Sequence, residues 1–292
     1  MTRLSYIGDL YTASGAIGEG ASAVDLFAIA DAVSVTQHVG RKRSHFMVAL
    51  LAAALLPVAA AERDADQILQ QMSAKLASAQ SFSFKATREI DPALLAGRNA
   101  PENALIVVTV QRPNKIAADS TSKDGVRHFY ADGRNLSLVD VTKNLYSTVP
   151  MHTSIDGVVA ELDKKYGFTP PLAEIALSNV YQDIHEKAQG VSYLGQATAG
   201  GVTCHRLALA GKMADAELWV GVNDQLPRRL IATVKDRPGK PQLKVEFSDW
   251  NLAAKVTDKD FAFVPPQGAQ KISMITTAET KATQKTNKVT QN

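Results

Sequence analysis

From residue 81 onwards apolar and polar side chains alternate. Phe82, Phe84 and Ala86 are interleaved with Ser81, Ser83 and Lys85, the period of two that marks a half-buried strand. The alternation returns in ALIVVTVQ, residues 104–111, where Ile106, Val108 and Val110 share a face. Turn signals then recur at Arg112-Pro113, Asp124-Gly125, Asp132-Gly133 and Thr142-Lys143-Asn144, leaving strands over 114–122, 126–131, 135–141 and 145–149. A second run of strands, 191–198, 202–210, 216–222, 228–235 and 242–250, is cut by Gly200-Gly201, residues 212–215, Asn223-Asp224 and residues 237–241. Eleven strands on such short turns predict a meander of consecutive hairpins.

Three stretches carry the helical period instead. Asp64 can cap a helix in which Ile68, Leu69, Met72 and Leu76 share a face. Ser154 can cap a second, whose Ile155, Val158, Val159, Leu162 and Tyr166 form an apolar stripe. After Pro170-Pro171 a third runs through Leu172, Ile175, Ala176 and Val180. A large antiparallel sheet needs one face covered, and helices laid on it do this economically. The predicted fold is therefore α+β, mainly β: a curved antiparallel half-barrel sheet of about eleven strands with amphipathic helices as a lid. If the sheet curls without closing, the space under the lid can be a ligand cavity; a fully packed core satisfies the same pattern.

The front of the chain reads differently. Arg41, Lys42 and Arg43 form a basic cluster, followed over residues 46–61 by the uncharged FMVALLAAALLPVAAA. Those 16 residues, with Pro57 among them, fall short of the roughly 20 apolar residues that a spanning helix needs. Small residues at Ala59 and Ala61 then complete a cleavable signal peptide over 41–61, with a mature start at Glu62. An uncleaved anchor and a buried helix are the other readings of this stretch. Residues 1–40, mildly acidic and rich in Gly, Ala and Ser, do not fit the front of a signal peptide and are expected to be a non-native extension, with Val39 the candidate start. The folded domain is expected over 62–267. Beyond it residues 268–292, rich in Thr, Lys and Gln, form a tail too polar to order itself.

Charge and composition add exclusions. The chain of 292 residues carries a net charge of +3, and the four basic and four acidic residues before Glu62 cancel. So small a charge, spread along the chain, gives no electrostatic case for nucleic acid. Cys204 is the single cysteine, which rules out an intrachain disulfide and a multi-cysteine metal site. His128, His152, His185 and His205 have no metal-ligand spacing within one element, and no metal or cofactor is expected. Cys204 and His205 are adjacent, but neighbours on a strand face opposite ways and cannot form a nucleophile–base pair. Gly-rich phosphate loops, GxSxG elbows and HExxH helices are missing from the sequence. The chain reads as a binder rather than an enzyme.

One resemblance sharpens this. Residues 216–266 contain LWV before an Asn-Asp turn, then Leu226-Pro227-Arg228-Arg229, then Phe247-Ser248-Asp249-Trp250, and finish with Phe261-Ala262-Phe263-Val264-Pro265-Pro266. This arrangement resembles the closing half of periplasmic lipoprotein carriers of the LolA and LolB type, and of the anti-sigma-factor regulator that shares their fold. Residues 112–150, with Arg-Pro before a strand, a Gly-containing turn, Asp132-Gly133-Arg134 and a Tyr-containing strand, resemble the same group. More narrowly, residues 62–270 resemble the family of predicted periplasmic proteins called domain of unknown function 2092.

The resemblance implies an open half-barrel whose apolar concave face lies under the lid. It implies a periplasmic, non-enzymatic binder or carrier of lipid-like or acylated ligands, with a lipid or the acyl chain of a lipoprotein as partner. The candidate walls are Phe82, Phe84, Ile106, Val108, Val110, Leu136, Leu138, Leu218, Val220, Val245 and Phe247 from the strands. Ile155, Val159, Leu162 and Leu172 would come from the lid. Plain core packing is the other role open to each. A sensor or interaction protein contacting a membrane-protein partner is the second function the same fold serves, and a hydrolase with a dispersed site the third.

Overall fold

The structure is a computed structural model and describes residues 56–95, 103–170, 172–274 and 276. The expected extension over 1–40 and most of the signal peptide lie outside these residues. Helix α1 (Leu56–Ser78) leads into strand β1 (Ser81–Ile90), then β2 (Asn103–Gln111), β3 (Lys115–Ser122), β4 (Gly125–Ala131), β5 (Asn135–Asp140) and β6 (Leu145–Pro150). Helix α2 (Ile155–Tyr166), a 3-10 turn at Ala173–Ala176 and helix α3 (Val180–Lys187) interrupt the strands. The chain returns as β7 (Ala188–Ala199), β8 (Val202–Gly211), β9 (Ala214–Gly221), β10 (Pro227–Val234), β11 (Gln242–Asn251) and β12 (Gln270–Lys271).

All twelve strands form one open, curved sheet in the order β12-β6-β5-β4-β3-β2-β1-β11-β10-β9-β8-β7. The two meanders meet where β1 pairs with β11, and among the described strands only the β12–β6 pair is parallel. Alternation along each strand puts its apolar positions on one inner face. Register carries them across the sheet, as in Phe84–Val108, Ile116–Ala131, Phe129–Leu138 and Leu218–Leu230. The helices close over that face into a single core with Leu69, Met72 and Leu76 of α1, Ile155, Val158 and Leu162 of α2, and Phe168, Leu172, Ile175 and Val180 beyond it.

All eleven expected strands are present, and the structure corrects three details. A twelfth strand follows the Pro265-Pro266 break: Gln270 N–H donates to Asn144 O at 2.9 Å and Ile272 N–H to Tyr146 O at 2.8 Å. The chain therefore stays on the sheet past 267, because edge pairing uses backbone groups and needs no apolar pattern. Residues 277–292 of the expected tail lie outside the described residues. The third helix does not begin at Leu172, which adopts a left-handed φ of 65° before the 3-10 turn; α3 starts only at Val180, with the Asn179 side chain accepting from Gln182 N–H. Helix α1 begins at Leu56, so Asp64 lies inside it rather than at its cap. Beyond these, β11 is irregular: unbroken alternation from Phe247 would aim Trp250 outward. A bulge at Asp249, φ 53°, sets two residues of β11 opposite Phe84 and turns the indole in, 4.5 Å from the Phe84 ring.

Candidate functional site

The candidate site is the inner face beneath the helices. The structure brings fourteen of the fifteen expected wall residues into one core, each at most 4% exposed; Val159, on the flank of α2, is half-buried. Phe82, Val110, Leu136, Leu138, Leu162, Val220 and Val245 have no exposed surface. An acyl chain is thicker than a water molecule, so a tunnel holding one open would leave its walls within reach of water. In the state described, the site is closed and its walls pack against the lid.

What holds the lid down is polar. Arg112, just past β2, donates from Nη1 to Ala176 O at 3.0 Å and from Nη2 to Leu177 O at 3.1 Å and Leu76 O at 3.4 Å. One guanidinium thus ties the end of α1 and the 3-10 turn to the sheet, its carbon 5.7 Å from the Phe82 ring centre. Burial pulls the Arg112 pKa below its ordinary value, and the Asp156 carboxylate acts against that shift. Asp156 also accepts from Ser178 N–H at 2.8 Å, and Ile155 N–H donates to Pro113 O at 2.9 Å. Residues 155–170 and 172–178 therefore form a flap, pinned at both ends close to Arg112. The sequence shows Arg112 only as half of an Arg-Pro turn signal; the carbonyls its guanidinium bonds lie 36 to 65 residues away.

Helix α3 is fastened separately. Tyr181 OH donates to Asp66, 3.1 Å from each carboxylate oxygen, His185 Nε2 lies 2.7 Å from Asp66 Oδ1, and Tyr181 N–H donates to Ser73 Oγ at 3.0 Å. These bonds join α3 to α1 rather than to the flap.

The two ends of the face differ. At the end away from Arg112, Arg88, Arg127 and Asp140 sit on the buried phase of β1, β4 and β5, at 6%, 5% and 1% exposure. Sequence reasoning passed over them, although Phe82-x-Phe84-x-Ala86-x-Arg88 and Arg127-x-Phe129-x-Ala131 place both arginines in line with core positions.

The residues weighed for catalysis stay apart. The Cys204 thiol is buried, donates to Val202 O at 3.3 Å and has its pKa raised by burial. His205 turns to the other face, its Nδ1 3.1 Å from Tyr193 OH. Among the described residues no group of His, Cys, Asp and Glu could hold a metal ion, and no helix is long and apolar enough to cross a membrane. On the outer face, Phe261 is fully buried and Phe263 packs 5.2 Å from Tyr146 and 6.1 Å from Tyr130. The Phe-x-Phe-x-Pro-Pro finish is thus a strap that leads the chain to β12.

With this geometry in place, the family is decided by a model described as "Predicted periplasmic protein (DUF2092)", which matches residues 65–275. The chain belongs to that family. The match covers nearly the span over which the sequence itself resembles it. No curated protein matches the chain. Solved structures similar to it include an uncharacterized conserved protein from Thermus thermophilus, at 11% identity over 72% of this chain and 98% of that one, TM-score 0.45. Another is the lipoprotein LppX of Mycobacterium tuberculosis, at 13% identity over 67% and 100%, TM-score 0.42. A LolA superfamily protein from Nitrosomonas europaea aligns at 13% identity over 68% and 97%, TM-score 0.34.

Proposed function

We propose that this DUF2092 member is a non-enzymatic binder of lipid-like or acylated ligands in the bacterial envelope, admitting an acyl chain between the sheet and its flap. The observation that carries the reading is the Arg112 clasp. A broad apolar face is covered by a flap whose end is held to the sheet by hydrogen bonds from one side chain to three main-chain carbonyls. Such bonds can be exchanged for water at modest net cost, because each contributes only about 1.5–3 kcal/mol even when one partner is charged.

Magnitudes decide how far the lid opens. Sheltering a chain of about 14 carbons is worth on the order of 10 kcal/mol. Exposing the flap's Ile155, Val158, Leu162, Phe168, Leu172 and Ile175 costs roughly 9–18 kcal/mol, at about 1.5–3 kcal/mol each, so one chain offsets the lifting of the flap only at the lower end of that range. Lifting α1 as well would add Leu69, Met72 and Leu76 and far exceed what one chain returns. The flap is therefore the element that moves, and α1 with α3 stays. The residue before the turn supports this division, since the left-handed conformation of Leu172 stores about 1–2 kcal/mol that release of the flap would recover.

Titration with a fluorescent fatty acid tests the reading: saturable uptake near one per chain is expected, together with faster amide exchange over 155–178 and unchanged exchange in α1. A flat titration would refute it. Export with cleavage after Ala61 belongs to the same proposal and is supported by the family description; the amino terminus of protein recovered from a periplasmic extract is expected at Glu62.

A second reading, an interaction protein contacting a membrane-protein partner, is favoured by one outer-face feature. Trp219 lies between Arg206 and Arg229, whose guanidinium carbons are 5.1 and 4.6 Å from its ring, with Glu217 and Glu246 alongside. A Trp219→Ala change that abolished capture of a membrane partner and left fatty-acid uptake intact would establish it.

A further inference from the structure

Charged side chains on the buried phase of a strand need a reason, because desolvating them is costly unless something compensates. Arg127 is 5% exposed, and its Nε has no hydrogen-bond partner. The carboxylate it faces is distant, with Asp140 Oδ2 at 3.8 Å. That carboxylate is also shared: Lys143 Nζ lies 3.7 Å from the same oxygen, and Oδ1 accepts from Lys143 N–H at 2.9 Å. Arg88 brings a second guanidinium to this end from β1. The two charges feel one another, since burial and then the Arg127 charge pull the Arg88 pKa to about 10, which still leaves it cationic at neutral pH.

The strands between these arginines are low. Register sets Arg88 opposite Ala104, which faces Ser122, and sets Arg127 opposite Ser120, which faces Ile106. Ala104, Ser120 and Ser122 are the small residues that these rows set between the two arginines. From Ala104 the inner row runs through Ile106, Val108 and Val110 towards Arg112, about 27 Å for eight residues of strand.

We propose that Arg88 and Arg127 form the head-group site for an anionic single-chain amphiphile, a carboxylate or phosphate at this end with its chain lying along the Ile106–Val108–Val110 row. This rests on the apolar-ligand reading above and adds a charge requirement and a direction to it. A planar guanidinium is suited to the two oxygens of such a head, and the pair supplies donors in a water-poor setting where each is stronger than at the surface. The same chemistry would hold a free anion, so the test includes one.

The experiment uses the protein purified after expression of the full chain, and compares palmitate, methyl palmitate and inorganic phosphate as competitors of a fluorescent fatty alcohol. Palmitate is expected to bind at least about tenfold tighter than its ester, the return on one charge-assisted contact. Arg127→Met should remove that preference and leave the ester's affinity unchanged, while Arg127→Lys should keep part of it. Should the Met variant fail to fold, the acid-to-ester ratio in the unaltered protein decides alone. Equal binding of acid and ester overturns the head-group site and leaves the apolar reading standing. Binding of neither overturns both. Phosphate competing as well as palmitate overturns the amphiphile in favour of a free anion.

Discussion

The guanidinium of Arg112 donates to the carbonyl oxygen of Ala176 at 3.0 Å, joining the end of β2 to a turn 64 residues later. That bond and its neighbours to Leu177 and Leu76 make Arg112 the point at which sheet, flap and α1 meet. Replacing it separates the stability of the closed state from the affinity of the open one. Arg112→Met should cost about 2–3 kcal/mol of stability through lost charged hydrogen bonds and stranded carbonyls, read as a lower urea midpoint. Because the open state is then populated at lower cost, fatty-acid affinity should rise rather than fall. Weaker binding in parallel with weaker folding would show Arg112 to be core support alone.

Packing of the closed face predicts a gradient of costs. Phe84, 1% exposed and stacked 4.5 Å from Trp250, should lose about 3–5 kcal/mol on change to Ala. Val159 faces partly outward, and Val159→Ala should cost under about 1 kcal/mol. Thermal or urea unfolding of the two variants checks the contrast. Equal costs would mean that α2 sits differently on the sheet.

How much of this was legible in the sequence varies by the kind of force involved. Strands are recorded in their own side chains, so period-two runs such as Ile106-x-Val108-x-Val110 found all but β12, whose two residues are held by backbone bonds to Asn144 and Tyr146. The turn of Trp250 into the core depends on a bulge that no alternation rule signals. Arg112 was hidden because its partners are carbonyls of residues distant in sequence. Arg88, Arg127 and Asp140 were visible in principle, as charges falling in step with Phe84, Phe129 and Leu138, and were missed because polarity was read as exposure.

The β4–β5 hairpin should show a measurable acid dependence. Asp132 Oδ1 accepts from Arg134 N–H at 2.8 Å and Asn135 N–H at 2.6 Å. Burial acts to raise its pKa, but these bonds together bring it below the ordinary value. A depressed folded pKa means that the contribution to stability is present above the ordinary aspartate value of about 3.9 and is lost as pH falls through the lower folded value. Asp132→Ala should therefore lower the urea midpoint at pH 7 and converge with the unaltered protein in strong acid. A gap that stayed constant with pH would remove the carboxylate from the account.

Shelter of an acyl chain between sheet and flap is open to direct measurement: the full chain is expressed in a bacterium, purified natively without detergent and extracted with organic solvent, and its fatty-acyl species are quantified by mass spectrometry. Acyl species in stoichiometric proportion to protein are expected, or full loading when the purified protein is offered fatty acid. Protein that stays free of lipid under both conditions would contradict such shelter and leave the face beneath the flap as packed core.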